Sequence, residues 1–235
     1  MIELSPLNSQ LFHVMKEEIL SGSLQPNQKI TIEELAQRFG VSTTPVRDAV
    51  RRLEAAGFVI VSPRKSITVA SLDEKAIKDV FNLRIALECC AVELSIDRIP
   101  SKVIDYALHA NQTALDKYNN SETSADLDKL ELDVHQIVLK YCDNNKLVAI
   151  MDDLRGLIIW ARGIPVGKPK FSAQAVREHI QILKHLKSKE AQPAVQAMRS
   201  HLAQSCERTL GYWKENPIYS NENNQNGPHS ARVSG

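Results

Sequence analysis

Residues 31–69 read TIEELAQRFGVSTTPVRDAVRRLEAAGFVIVSPRKSITV. Thr31 stands three residues before Glu34, the capping-box spacing in which each side chain satisfies a free N–H at a helix start. Leu35, Ala36 and Phe39 give that helix an apolar face, and Gly40 suits the left-handed position that ends it. Ser42 is placed to cap a second helix, with Thr43 to Pro45 as its first turn. In that helix Val46, Ala49, Val50 and Leu53 repeat at i, i+3, i+4 and i+7, which makes one buried stripe. Arg47 and Arg51 lie four apart on a different face, beside Arg52 and Thr44, and Gly57 closes the helix. A helix that is apolar on one side and carries arginine on the other suits the groove of a polyanion.

Val59-Ile60-Val61 and Ile67-Thr68-Val69 then read as two short strands around Ser62-Pro63-Arg64-Lys65-Ser66, a hairpin with two cations at its tip. Capped helix, tight turn, arginine-bearing helix and basic-tipped hairpin follow one another in the order of a winged helix-turn-helix. Arg64 and Lys65 are placed to touch phosphate or the minor groove of double-stranded DNA. The bland alternative is a helical hairpin with a solvated basic face. It requires the capping box, the turn spacing, the arginine face and the wing all to be coincidence.

The charge of the whole chain is nearly balanced, 29 Lys and Arg against 28 Asp and Glu over 235 residues, so there is no global polycation. The basic charge is local: residues 41–65 hold Arg47, Arg51, Arg52, Arg64 and Lys65 against only Asp48 and Glu54. The four cysteines, Cys89, Cys90, Cys142 and Cys206, show neither zinc-finger spacing nor a disulfide framework, which fits a reducing cytoplasm. The start MIELSPLNSQ lacks the order of a signal peptide, and no apolar run approaches membrane length. A soluble cytoplasmic protein with no membrane partner is expected.

The stretch from about residue 5 to 70 resembles the DNA-binding domain of the GntR family of bacterial transcriptional repressors. Ser21-Gly22-Ser23-Leu24-Gln25-Pro26 is similar to that family's loop before the second helix, and Gly40 to Ala49, GVSTTPVRDA, to its recognition-helix signature. The resemblance implies DNA contacts from Thr43, Thr44, Arg47, Arg51, Arg52, Arg64 and Lys65. Two positions depart from the family. Thr43 stands where the family usually has a base-reading Arg, and Ser66 where it usually has Gly at the wing tip. Arg47 keeps the family's other main DNA-contacting Arg.

Ala70-Ser71-Leu72-Asp73 reads as a hinge. Beyond it the pattern is helical to about Trp213, with breaks at Pro100, Asn119-Asn120, Asp143-Asn144, Pro165 to Pro169 and Lys189-Glu190, giving roughly six helices of three to six turns. In the first of these, Ile77, Val80, Phe81, Leu87, Ala91 and Leu94 share a stripe with Arg84 and Glu88. A charged pair in an apolar face is costly unless paired or used. Two readings fit the spacing. Either the pair is an i,i+4 bridge that locks the helix, or Arg84 points into a cavity and takes a carboxylate ligand through its planar fork.

Glu131 and His135 lie one helical turn apart, a spacing at which a carboxylate and an imidazole can share one metal ion. His179 lies on the Val176, Ile180, Leu183 stripe, and His201 borders that of Met198, Leu202 and Ser205. Each alone reads as an ordinary core or surface histidine; together they can converge in a bundle core, where metal sites are often built. His13, His109, His185 and His229 read as surface residues. Trp160 and Trp213 read as packing.

Residues 73–212 resemble the FCD domain, the all-helical effector module of the FadR branch of GntR regulators. The similarity is carried by Leu83 to Glu88, Glu131 to His135, Arg177-Glu178-His179 and Met198-Arg199-Ser200-His201. It implies a divalent metal held by one acid and His135, His179 and His201, with a carboxylate effector completing the site. Glu131 stands where the family usually has Asp, and Asp133 faces elsewhere. Oxygen and imidazole ligands suit Zn, Ni, Co or Mn alike.

The expected fold is mainly α: a winged helix-turn-helix over residues 1–70, an all-helical bundle for effector, metal and dimerisation over 71–213, and a tail over 214–235, Asn-, Ser-, Gly- and Pro-rich from Asn216 on, that reads as disordered. The expected function is a ligand-responsive homodimeric repressor. One recognition helix covers a short half-site of the operator, and Arg84 with the metal holds a small organic or sugar acid. Two rivals are weighed beside it. One is constitutive DNA binding over a structural metal. The other is a metal enzyme with an open coordination position, for which no separate base or nucleophile suggests itself.

Overall fold

Thr31 sits in extended backbone (φ −107°, ψ 161°) and both halves of the capping box form, with its hydroxyl accepting from the Glu34 N–H at 3.2 Å and the Glu34 carboxylate accepting from the Thr31 N–H at 2.7 Å. The computed structural model in which this is seen describes residues 7–62, 66–120, 133–161 and 172–215. The box starts helix α2 (Ile32–Phe39), which follows α1 (Leu7–Leu20). Gly40 ends α2 in the left-handed region at φ 65°, a conformation open to a residue without Cβ, and its N–H returns to the last turn.

Helix α3 (Thr43–Ala55) follows at once. Ser42 takes the N-cap position, but its hydroxyl makes no cap bond, contrary to expectation. Val46, Ala49, Val50 and Leu53 are all buried and pack against α1 and α2, as the period of the stripe requires. Gly57, at φ 77°, then turns the chain into strand β2 (Val59–Val61) and β3 (Ser66–Val69).

The sheet has a third strand that the sequence did not announce. β1 (Lys29–Thr31) pairs antiparallel with β3, so the order is β1-β3-β2. Three residues running straight into a capping box leave no room for a visible period of two. The register places Ile30 opposite Ile67 and Val59 opposite Val69, and all four are buried while Ile60 faces out.

The remaining elements among the described residues are helices: α4 (Glu74–Ser95), α5 (Ser101–Asn119), α6 (Val134–Tyr141), α7 (Asn145–Ala161), α8 (Ala173–Lys187) and α9 (Ala191–Glu215). The breaks fall at Pro100, Asn120, Asp143-Asn144 and Lys189-Glu190, where Asp143 and Lys189 take positive φ. The Pro165 to Pro169 break lies outside the described residues. α6 is shorter and α9 longer than the expected three to six turns, and α9 runs two residues past the expected end at Trp213.

The described residues form two compact units, one within Met1–Ile77 and Thr209–Gly235, the other within Lys78–Arg208. In the second, Ala91, Val92, Ile104, Val134, Val138, Leu183, Met198 and Leu202 belong to one continuous core, and α5 packs along α8. Arg84, Glu88, His135, His179 and His201 are buried in that same unit. No described helix is long and apolar enough to cross a membrane.

Candidate metal centre and nucleic-acid interface

The helical period sorts the arginines of α3. Thr44, Arg47 and Arg51 are exposed and fall on one side, opposite the buried stripe. Arg47 and Arg51 also line a cleft of about 220 Å³ between α3 and the sheet, with Val61 and Ile67 on its other wall. Arg51 makes only a loose approach to Asp48, at 4.0 Å. Arg52 lies about 100° further round the helix, where its guanidinium stacks 4.2 Å above the centre of the Phe12 ring. Thr43 is half-buried in the first turn. Arg64 and Lys65 lie outside the described residues.

In the helical unit the three histidines named from the sequence come together. His135 from α6, His179 from α8 and His201 from α9 place ligand atoms within 4.8 Å of one another. Nε2 of His201 lies 3.2 Å from Nε2 of His135 and 3.3 Å from Nε2 of His179. The far nitrogens of two of these rings are held by carboxylates. Glu88 Oε2 bonds His135 Nδ1, and Glu178 Oε2 bonds His201 Nδ1 at 2.6 Å. Each carboxylate is itself anchored by arginine. Arg84 Nε donates to Glu88 Oε1 at 2.5 Å, and Arg208 donates to both oxygens of Glu178 at 3.0 Å.

Protonation follows from these contacts. Burial pushes the Glu88 carboxyl up, but the charges of His135 and Arg84 outweigh it and hold it at about 2. Burial likewise raises Glu178, and the bonds from His201, Arg208 and Gln174 bring it down to about 2. Burial lowers His201 to about 3, with His135 and His179 adding to the effect against the pull of Glu178. At neutral pH both carboxylates are therefore ionised and can only accept, so Nδ1 of His201 and Nδ1 of His135 each carry a proton, and His201, held near 3, is left with a bare Nε2. The two Nε2 atoms then face each other across 3.2 Å. Two ring nitrogens so close repel unless a cation lies between them, and three converging imidazole nitrogens make a donor set of the kind that binds first-row divalent metals. The residues present fit a metal ion.

Comparison with known proteins meets this geometry from both ends. The profile described as bacterial regulatory proteins, gntR family, matches residues 7–69, and that of the FCD domain matches residues 79–204. The chain belongs to the GntR family of transcriptional regulators, in the branch with an FCD domain. This GntR regulator is 27% identical to the HTH-type transcriptional regulator YdhC of Bacillus subtilis over 86% of its own length and 91% of the relative's. It is 20% identical to the HTH-type transcriptional repressor RspR of Escherichia coli, covering 92% and 95% of the two chains. Among solved structures, McbR/YncC of Escherichia coli shares the fold at a TM-score of 0.62 and 19% identity, over 89% of this regulator and the whole of that chain.

The FCD regulator is thus mainly helical with a small winged domain, and its relatives are regulators of transcription, which removes the enzyme alternative. Arg84 sits in the histidine cluster through Glu88, so the bridge reading of that pair describes its Nε–Oε1 bond. Glu131 lies outside the described residues. Asp133 does not join the cluster as a ligand: it caps α6, accepting the His135 N–H at 2.9 Å. His13 and His109 are exposed and His185 pairs with Glu190, while Trp160 and Trp213 are buried in packing.

Two residues escaped the reading of the sequence. Sequence spacing pairs Glu88 only with Arg84 and sets Glu178 only beside His179. Their bonds to histidine span 47 and 23 positions, so no local spacing could report them. The one available signal is Glu88 on the same apolar stripe as Arg84, a buried position for a carboxylate.

Proposed function

We propose that this regulator is a homodimer whose hold on an operator is set by a small organic or sugar acid bound beside a divalent cation in its FCD domain. The observation that carries the reading is the convergence of three histidine Nε2 atoms, two with lone pairs turned inward by ionised carboxylates. His135, His179 and His201 hold the ion, with Glu131 as the acid ligand, and Zn, Ni, Co and Mn all suit that set. Bound there, the cation supplies a positive centre with open positions for a carboxylate. Arg84 meets the acid with the guanidinium nitrogens not given to Glu88.

Arg47, with Thr43 and Thr44 at the helix start, reads the major groove, and Arg51 one turn on meets phosphate. Arg64 and Lys65 of the wing and Arg52 on the flank contact the backbone. Two such domains in a dimer read two half-sites. The acid acts by preferring one arrangement of the two domains, to the extent of its differential affinity and no more. If the acid favours the form that releases DNA, the acid-free protein represses and the acid relieves repression.

A thermal-shift screen of organic and sugar acids, run with and without chelator, tests the reading. An acid at about a hundred times its Kd stabilises the protein by about 2.7 kcal/mol, and that gain is expected only in metal-loaded protein. A second reading, constitutive DNA binding over a structural ion, is favoured by the commitment of Arg84 to Glu88. If no acid shifts the metal-loaded protein, that second reading stands.

A further inference from the structure

We propose that Glu178, anchored by Arg208, and Glu88, anchored by Arg84, are positioning residues that set the metal affinity of the histidine cluster. They do so by fixing His201 and His135 as the tautomers with Nε2 free. The proposal rests on the metal reading above and concerns residues that are not themselves ligands, since each carboxylate bonds the ring nitrogen remote from the cluster. A neutral imidazole has two tautomers, and the one with its proton on Nε2 would point hydrogen at the site and close it. A carboxylate already held by an arginine accepts from Nδ1, which removes that tautomer, fixes the ring plane and makes Nε2 a stronger donor.

The two braces have the same construction. Each carboxylate uses Oε2 for the imidazole and accepts from an arginine at Oε1. On the Glu178 side the anchor is two-pronged: Arg208 reaches both oxygens at 3.0 Å, and Gln174 adds a bond to Oε1 at 3.0 Å. A fork of two parallel bonds fixes orientation as well as position, so the carboxylate presents one oxygen to His201 in one direction. Arg208 is 37% exposed, whereas Glu88 is fully buried. The brace on His201 can therefore be loosened from its outer end without opening the core.

If Glu178 and Arg208 served only to tie α8 to α9, their loss would lower stability and leave metal affinity alone. If they position His201, affinity falls while every ligand remains. The experiment uses the full-length protein, zinc, and competition against a chelating dye, with Glu178→Gln and Arg208→Gln beside wild type. Glu178→Gln is expected to keep the zinc stoichiometry and raise Kd by about 10- to 100-fold, with Arg208→Gln raising it less. Ring-nitrogen NMR of the zinc-loaded protein is expected to show a strongly downfield His201 Nδ1 proton in wild type that moves upfield in Glu178→Gln. Melting of the chelated proteins checks that each variant folds, and Arg208→Gln carries the test if the Glu178 variant does not. Wild-type protein that takes up no zinc overturns the metal reading itself. Wild-type protein that binds zinc, with both variants within about twofold of it and the Nδ1 proton unmoved, overturns the braces alone.

Discussion

Gly40 holds φ at 65°, and a Cβ added there would meet no atom within 4 Å. The cost of Gly40→Ala is therefore that of left-handed backbone alone, about 1–2 kcal/mol. It should appear as a lower denaturant midpoint with the helices intact by circular dichroism; an unchanged midpoint would show that the turn does not need glycine. At the metal centre the individual groups predict a pH dependence for chelated protein. His201 titrates near 3 when folded against an ordinary 6.5, so the unfolded chain binds more protons between those values and stability falls as pH drops below about 6.5. Glu88 and Glu178, near 2 against 4.5, add a further loss below about 4.5. Thermal midpoints of the chelated protein should therefore decline from pH 7 to 4, and His201→Gln should remove the part above pH 4.5. A flat profile would contradict the buried neutral imidazole. The three histidines were legible one by one, because each falls on or beside an apolar stripe. The carboxylates behind them were not, since long-range bonds leave no local trace.

Among the elements, α3 was the most readable because a period of 3.6 over thirteen residues separates buried, arginine-bearing and flanking faces. What the period alone did not show is that Arg52 leans onto Phe12 of α1, a contact that depends on how two helices pack. Arg51, with only a loose ion pair, and Arg52, stacked on a ring, should behave differently. Specific DNA affinity should fall steeply with salt because phosphate contacts release counterions. Arg51→Ala should flatten the log–log slope by about one per chain, whereas Arg52→Ala should flatten it less and lower the melting temperature more. Equal effects of the two changes on the slope would refute the distinction. β1 was invisible for the opposite reason: three residues cannot display a period of two before the capping box takes over.

At the scale of the whole molecule, a GntR winged domain and an FCD domain are joined in one chain, and the polar interior of the second is what makes it more than a scaffold. A cluster of three histidines backed by two arginine-anchored carboxylates spends buried polar groups where apolar side chains would pack as well. A bound cation would give that arrangement a purpose, because it would relieve the facing ring nitrogens and offer an acid a place to bind. Uptake of zinc by full-length protein and by His179→Ala, measured by elemental analysis after dialysis, tests this most directly. The account predicts about one ion per chain in wild type, as for a single ligand cluster, and essentially none in the variant. Equal metal content in the two proteins would contradict it.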